Sequence, residues 1–284
     1  MSAAKQGRLR LAYSDPRGEG TPVLLVHGFF HNRSVWEQLA EALPAEFRPI
    51  SVDLRGHGES PWSVDGDYGM RSYAGDLASL LDLLGIQQTF VVGHSLGGNV
   101  STLFTADLAD RALGLVLVDT GPVLESTGTD HVVDEIENAL RSYASRSAWR
   151  DQLSSIHPAG NAQLLDRLAE TSVVERLDGR FEPALDPGVL GRADASVDLV
   201  ALERDLWSAL RSLRCPVLVI RGGVSAILRE KVAREMVEET LHDGHLVTLE
   251  KAGHAVMIDD GPGLIHAVQD FLSTALSKES SGRE

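Results

Sequence analysis

Short apolar runs that alternate with longer segments of helical period constrain the fold of this chain more than any other feature. The runs predict strands at residues 23–27, 48–53, 89–93, 115–119, 217–221 and 245–250, with a weaker strand near residues 8–13. Between them, apolar residues recur at helical spacing, as in the set Tyr73, Leu77, Leu80, Leu81 and Leu84 and in the closing segment 262–275. Buried runs joined by helical crossovers are typical of a parallel sheet covered on both faces. We therefore predict an α/β fold with a mostly parallel central sheet flanked by helices.

The alternation fails between about residues 122 and 206. This stretch has no run that predicts a strand, and Gly and Pro residues interrupt its two amphipathic helical pieces at residues 132–143 and 162–174. The pattern on either side still predicts strands of one sheet. We therefore predict one core, formed by residues 1–121 and 207–284, with residues 122–206 inserted as a helical lid.

The charge balance disfavours a role in nucleic-acid binding. The chain has 284 residues, and its 41 Asp and Glu against 26 Lys and Arg give a formal net charge of −15. Such a charge repels phosphate backbones and anionic lipid surfaces. No apolar run approaches the roughly 20 residues that span a bilayer, and the N-terminal segment has no apolar signal core. We expect a cytoplasmic protein that binds neither nucleic acid nor a membrane, and the sequence is compatible with a homo-oligomer.

The sequence Gly93-His94-Ser95-Leu96-Gly97-Gly98 follows a predicted strand and opens a helical segment. In this context the pattern Gly-x-Ser-x-Gly is typical of a nucleophile elbow, a strand-to-helix turn that exposes its central residue. The turn is so tight that the residues two before and two after the serine must be small, and Gly93 and Gly97 meet this need. Ser95 is the candidate nucleophile, and we expect the Leu96 N–H at the helix N-terminus to point toward developing negative charge.

These residues resemble the α/β-hydrolase superfamily, and the resemblance extends over nearly the whole chain. It implies an α/β-hydrolase fold with an inserted helical lid. The sequence His27-Gly28-Phe29-Phe30 resembles the family's oxyanion loop, which implies that the Phe29 N–H is the second oxyanion donor beside that of Leu96. The segment 53–60 resembles the family's turn after the next strand, and we expect it to be structural.

The resemblance also implies the general base. The sequence Lys251-Ala252-Gly253-His254-Ala255 lies between the last predicted strand and the closing helix, where the family keeps its catalytic histidine. A histidine, with an ordinary pKa of about 6.5, can accept a serine proton near neutral pH and return it to a leaving group. His254 is therefore the candidate base.

The acid departs from the family pattern. Most members carry it after the strand predicted at 217–221, but residues 222–228 contain no carboxylate, and Ala226 stands at the acid's usual position. Glu230 lies about one helical turn too far along. Asp119 ends the strand that follows the elbow strand in sequence, and some family members, including zearalenone-type lactonases, keep their acid there. Asp119 is the candidate acid, and the alternative is that it only caps the following turn.

Further residues are candidates for substrate binding. Trp149 lies in the predicted lid with Tyr143 and Phe181, which suggests an apolar pocket for a small-molecule substrate. Phe30 follows the predicted oxyanion donor and His94 precedes the predicted nucleophile, and both are further candidates for substrate binding. His242 and His245 lack a third ligand at suitable spacing, so we expect no metal and no cofactor.

Three functions fit these residues. The leading hypothesis is a serine hydrolase that cleaves a carboxylic ester or lactone through an acyl-enzyme. Ser95 argues against epoxide hydrolysis and dehalogenation, which use aspartate at the elbow in this fold. The second hypothesis is a cofactor-free lyase or cyclase in which His254 removes a substrate proton. The third, which Ala226 motivates, is a ligand-binding homologue with impaired catalysis.

Overall fold

The computed structural model describes residues 10–16, 18–123, 141–190 and 198–281. Its strands are β1 (Tyr13–Ser14), β2 (Thr21–Val26), β3 (Phe47–Val52), β4 (Thr89–His94), β5 (Ala112–Val118), β6 (Val173–Glu175), β7 (Phe181–Pro183), β8 (Val217–Gly222) and β9 (Gly244–Leu249). Its α-helices are α1 (Glu37–Ala42), α2 (Met70–Leu84), α3 (Leu96–Asp107), α4 (Arg146–Ile156), α5 (Ala162–Thr171), α6 (Pro187–Leu190), α7 (Leu199–Ser212), α8 (Glu230–Arg234), α9 (Val256–Asp259) and α10 (Gly261–Ser281). Among the helices of this described part, none is both long and apolar enough to span a bilayer.

Seven strands form one sheet in the order β1-β3-β2-β4-β5-β8-β9. β1 is antiparallel to β3, and every other pair in the sheet is parallel, so the mostly parallel sheet predicted from the sequence is confirmed. The chain places β3 on one side of β2 and β4 on the other, so the strand order reverses at β2. In open parallel sheets, ligands bind at the carboxyl ends of the strands beside such a reversal.

Alternate side chains of the central strands enter two separate cores. Val23 and Leu25 of β2 pack on one face with Trp36 and Leu39. The neighbouring β2 residues pack on the opposite face with residues of α2, in a cluster that contains Leu24, Val26, Tyr73, Leu77, Leu80 and Leu81. Because successive side chains of a strand point to opposite faces, a sheet covered on both sides needs continuous apolar strands. This need explains the uninterrupted apolar runs of the sequence.

The sequence predicted an inserted segment made of helices, but the segment also contains strands. Its described part contains α4, α5 and α6, but also the antiparallel pair β6 and β7. These strands have three residues each, too few to show an alternating pattern. The predicted helix at 132–143 lies outside the described residues except for its last three. Helix α7 runs without a break through the predicted boundary at residue 206, and its Leu206 and Ala209 pack against Leu103 of α3.

The turn after β3 holds the inserted segment against the sheet domain. The Asp186 N–H donates to the Gly56 carbonyl at 2.7 Å, and the Gly58 N–H donates to the Ala184 carbonyl at 2.8 Å. These backbone bonds support the structural role that the sequence predicted for the turn at 53–60.

Candidate functional site

Ser95 occupies the turn between β4 and α3, with φ at 50° and ψ at −120°. L-residues rarely adopt this φ, and such strain is typical of functional turns. The Ser95 N–H donates to the Val118 carbonyl at 3.2 Å, which ties the turn to β5. A methyl group at Gly97 would lie 2.4 Å from the His27 carbonyl oxygen, so glycine is needed where α3 begins against the end of β2. The first helical N–H groups, including that of Leu96, have no acceptor within the helix.

Ser95, His254 and Asp119 form a continuous hydrogen-bonded chain. Ser95 Oγ lies 3.0 Å from His254 Nε2, and Asp119 Oδ2 lies 2.8 Å from His254 Nδ1. A carboxylate can only accept hydrogen bonds, so the shared proton belongs on Nδ1. In the neutral ring that carries its proton on Nδ1, Nε2 accepts the Ser95 hydroxyl. Ser95 and Asp119, which the sequence predicted as nucleophile and acid, therefore each lie within hydrogen-bonding distance of His254, the predicted base.

The Asp119 carboxylate is completely buried and accepts three hydrogen bonds. Its backbone φ is 44°, a second strained position at the carboxyl edge of the sheet. The Gly222 N–H donates to Oδ1 at 2.8 Å, and the Ser225 hydroxyl donates to Oδ2 at 2.5 Å. Sequence reasoning missed Ser225, although a hydroxyl residue directly before Ala226, in the loop after β8, was visible in the sequence. These contacts join Asp119 to residues outside its own turn, so the alternative that Asp119 only caps that turn does not account for them.

The oxyanion loop packs directly against the elbow. A methyl group at Gly28 would lie 2.4 Å from His94 Nδ1 and 3.1 Å from Ser95 Cβ. His27 anchors the loop, because its Nδ1–H donates to the Gly28 carbonyl at 2.7 Å and its Nε2 accepts the Leu54 N–H at 3.0 Å. Burial lowers the pKa of His27 to about 4, so the ring stays neutral and keeps both bonds near neutral pH.

Phe29 and Phe30, the next two residues of the loop, are half-buried. Phe30 has φ at 61°, a third strained position. The two phenyl rings contact each other with centroids 4.3 Å apart. Phe29, whose N–H is the predicted second oxyanion donor, therefore lies between the hydrogen-bonded His27 and the strained Phe30, beside the elbow.

His94 supports the backbone of the base. Its ring is 1% exposed, and its Nε2–H donates to the His254 carbonyl oxygen at 2.9 Å. The two rings contact each other with centroids 4.7 Å apart. Burial holds the pKa of His94 well below its usual value, and the adjacent His254 acts in the same direction. The sequence predicted His94 as a substrate-binding residue, and the structure places its side chain behind His254.

Two further histidines, His31 and His57, also stay neutral. Burial lowers the pKa of His31 and of His57 to about 3 in each case. The two rings are part of a contiguous set in which His31 contacts His94 and His57 contacts His27. Because a neutral imidazole carries no positive charge, these rings do not repel a proton that His254 accepts at neutral pH.

The inserted segment reaches the loop that carries His254. At the end of α4, the His157 Nδ1–H donates to Asp259 Oδ1 at 2.8 Å. Oδ2 of the same carboxylate accepts the Gly253 N–H at 2.9 Å. Asp259 thus connects the inserted segment to the residue before His254. No sequence pattern pointed to this contact, because His157 and Asp259 lie 102 positions apart.

Trp149, predicted to contact substrate, is half-buried in α4. Its indole N–H donates to Ser172 Oγ at 2.8 Å, and its ring lies 4.8 Å from that of Tyr143. It also packs against the apolar cluster on one face of the sheet. The indole N–H of Trp149 is therefore hydrogen-bonded within the inserted segment.

The loop after β8 holds no carboxylate near the base. Ala226 is exposed, and Glu230 pairs with Arg234 at 2.9 Å on the surface of α8. Across residues 10–16, 18–123, 141–190 and 198–281, no three His, Cys, Asp or Glu side chains cluster as metal ligands would.

Comparison with known proteins gives the family. The sequence profile of the alpha/beta hydrolase fold matches residues 21–261. The chain belongs to the α/β-hydrolase family. It is 29% identical over 284 aligned positions to "Esterase Rv0045c" of Mycobacterium tuberculosis, covering 96% of this chain and 88% of that protein. It is also 29% identical over 278 positions to "sn-1-specific diacylglycerol lipase ABHD11" of Mus musculus, covering 93% and 86% of the two chains.

A solved structure extends this comparison to three dimensions. The crystal structure of E-2-(acetamidomethylene)succinate hydrolase superposes on this hydrolase with a TM-score of 0.83 at 26% identity, over 94% of this chain and 96% of that one. The fold predicted from the sequence is confirmed, and this α/β hydrolase is an enzyme of a family whose similar members are named esterase, lipase and hydrolase.

Proposed function

We propose that this hydrolase cleaves a carboxylic ester or lactone through an acyl-enzyme, with Ser95 as nucleophile, His254 as base and Asp119 as acid. The hydrogen-bonded chain from Ser95 Oγ through the His254 ring to Asp119 Oδ2 carries the proposal. Such a chain activates a serine because the imidazole accepts its proton as the new bond forms.

In the first step, Ser95 Oγ attacks the substrate carbonyl carbon while its proton passes to His254 Nε2. The carbonyl oxygen becomes an oxyanion and accepts hydrogen bonds from the Leu96 and Phe29 N–H groups. Asp119 stabilises the imidazolium that forms and keeps its Nδ1–H fixed. His254 then gives the proton to the departing alcohol oxygen, and the acyl group remains on Ser95.

In the second step, water releases the acyl group. His254 Nε2 accepts a proton from the water as its oxygen attacks the acyl carbon, and the same two N–H groups hold the second oxyanion. The bond to Ser95 Oγ breaks, and the proton returns to that oxygen. For a lactone, the alcohol released in the first step stays attached to the acyl chain, so the product is one hydroxy acid.

The substrate is proposed to be small and apolar beside its ester group. The paired rings of Phe29 and Phe30 lie next to the oxyanion donor, and Trp149 and Tyr143 lie in the inserted segment. Phe30 and Trp149 remain proposed substrate contacts. His94 is instead proposed to support the backbone of His254, because its buried N–H is bonded to the His254 carbonyl. The names of the similar esterase and lipase support an ester as the substrate class.

A fluorophosphonate probe tests the proposal directly. We expect stoichiometric labelling at Ser95, detected as one added mass on the intact protein, and no labelling of Ser95→Ala. Ser60→Ala is a control that should label like the wild type, because Ser60 is a buried serine in the structural turn at 53–60.

Turnover of esters and lactones without any covalent species on Ser95 would overturn the acyl-enzyme mechanism. That result would favour the cofactor-free chemistry in which His254 acts on the substrate itself. Neither labelling nor turnover would favour a ligand-binding homologue.

A further inference from the structure

We infer that Ser225 is a positioning residue for the acid, and that its hydroxyl fixes the Asp119 carboxylate against His254. The inference rests on the proposed function. Ser225 lies in residues 222–228, the last residue of β8 and the loop that follows it, which we call the β8 loop. Its side chain is 9% exposed, and its Oγ lies 2.5 Å from Asp119 Oδ2. This is the same oxygen that accepts the His254 Nδ1–H at 2.8 Å.

The direction of the Ser225 hydrogen bond is fixed by its other partner. The Ile227 N–H donates to Ser225 Oγ at 3.1 Å, so a lone pair of the hydroxyl oxygen is already occupied. Asp119 as a carboxylate has no proton to give. The Ser225 hydrogen therefore points at Asp119 Oδ2, and the bond is charge-assisted.

The β8 loop supplies two of the three donors that hold the acid. The Gly222 N–H binds Oδ1 at 2.8 Å, while Ser225 and His254 share Oδ2. A completely buried carboxylate is stable as an anion only when such donors replace the water it has lost. The loop that lacks the family's usual acid thus provides the groups that support an acid from β5.

Ser225 has two expected effects on catalysis. It prevents the carboxylate from rotating away from Nδ1, so its loss should lower kcat more than it raises KM. It also withdraws electron density from Oδ2. Without this bond the carboxylate is more basic and holds protonated His254 more tightly, so the acid limb of the pH profile should move to higher pH.

Three single variants test the inference on the full-length protein with an activated ester. We expect Ser225→Ala to lower kcat by about tenfold, the scale of one lost hydrogen bond to a charged group, and to shift the acid limb upward. Ser225→Thr keeps the hydroxyl and should recover kcat and the pH midpoint. Ser60→Ala should match the wild type, although Ser60 is also buried, accepts the Ala12 N–H at 2.8 Å and donates to the Asp53 carbonyl at 2.6 Å.

A double-mutant cycle separates positioning from a general structural effect. In an Asp119→Asn background, Ser225→Ala should cause almost no further loss, measured as the rate of fluorophosphonate labelling. An equal loss in both backgrounds, or a Ser225→Ala enzyme with wild-type kcat and pH midpoint, would overturn the inference and leave the proposed function intact. A fully active Asp119→Asn enzyme would instead overturn the proposed acid, so the two failures are distinguishable.

Discussion

Two loops at the carboxyl edge of the sheet differ, and their difference bears on Asp119, the proposed acid of this hydrolase. The turn after β5 presents Asp119, buried and bonded to His254 at 2.8 Å. The β8 loop, where most family members are expected to carry the acid, presents an exposed Ala226 and directs the Ser225 hydroxyl and the Gly222 N–H at Asp119. The acid has one geometric requirement, a carboxylate oxygen at the Nδ1 side of the base. More than one strand end can meet it.

The sheet order shows why β5 can supply the acid. β5 lies between β4, which carries the elbow, and β8. The Asp119 N–H donates to the Ile220 carbonyl of β8 at 2.7 Å, and the Ser95 N–H donates to the Val118 carbonyl of β5 at 3.2 Å. The end of β5 is therefore bonded to both neighbouring strands at the level of the site. A side chain from either β5 or β8 can approach the same ring nitrogen.

The largest loss of kcat is expected for a change of the nucleophile, and this loss is the reference for variants of the two loops. Ser95→Ala removes the hydroxyl needed for covalent attack, and we expect kcat for an activated short-chain ester to fall by about 10⁶-fold, the scale for losing the nucleophile of a serine triad. The fold should persist, because the change removes little buried surface. Steady-state kinetics and far-UV circular dichroism check this, and near wild-type turnover would end the assignment of Ser95.

Asp119→Asn tests the β5 side of the comparison. The amide cannot stabilise the imidazolium, and it favours the wrong tautomer of His254. We expect kcat to fall by about 10⁴-fold with the fold retained, as for an amide in place of the acid of a serine triad. Asparagine also tolerates a positive φ, so the strained backbone at this position should be preserved. A fall of only a few fold would mean that Asp119 is not the acid.

The pH profile tests whether one proton on His254 controls the site. We expect kcat/KM to fall with a limiting slope of one, roughly tenfold per pH unit, on the acid side of the range from pH 8 to 5, since a protonated imidazole cannot accept the serine proton. Burial lowers the pKa of His27 to about 4 and that of His31 and His57 to about 3, so these rings stay neutral throughout. A flat profile, or a limb with a slope near two, contradicts this expectation.

A stability control belongs with this profile. His27, His31 and His57 are neutral in the folded chain, whereas in the unfolded chain they take up protons near pH 6.5. The unfolded state therefore binds more protons, and the free energy of unfolding should decrease as the pH falls below about 6.5 toward 4. Thermal unfolding at each pH separates this loss from the catalytic limb.

The smallest expected effect lies on the β8 side. Ala226→Asp should change kcat less than about twofold, because His254 already has an acid partner and an exposed carboxylate is solvated and screened. The same substitution in an Asp119→Asn background gives the sharper comparison. A large gain there would show that the usual acid position can still be used. A large gain in the wild-type background would show instead that the β5 acid is ineffective.

Much of the fold was accessible from the sequence because its determinants are local. Continuous apolar runs predicted a sheet covered on both faces, and the elbow pattern predicted a strained serine between a strand and a helix. The short strands β6 and β7 were missed, since three-residue strands show no period, and α7 crosses the predicted lid boundary without a local signal. Ser95 was predicted from the elbow pattern, and His254 from its position between the last predicted strand and the closing helix, where the family that the sequence resembles keeps its base.

The contacts of Asp119, the proposed acid, could be found only in the tertiary structure. The sequence identified Asp119 as a strand-end carboxylate and showed that residues 222–228 offered none, but it could not show that the two loops face each other. Ser225 and Asp119 are 106 positions apart, and His254 is 135 positions from Asp119. Hydrogen bonds over such separations depend on the strand order of the sheet. The sequence alone determined which chemical groups this enzyme has, and the packing of β5 between β4 and β8 decided which of them meet.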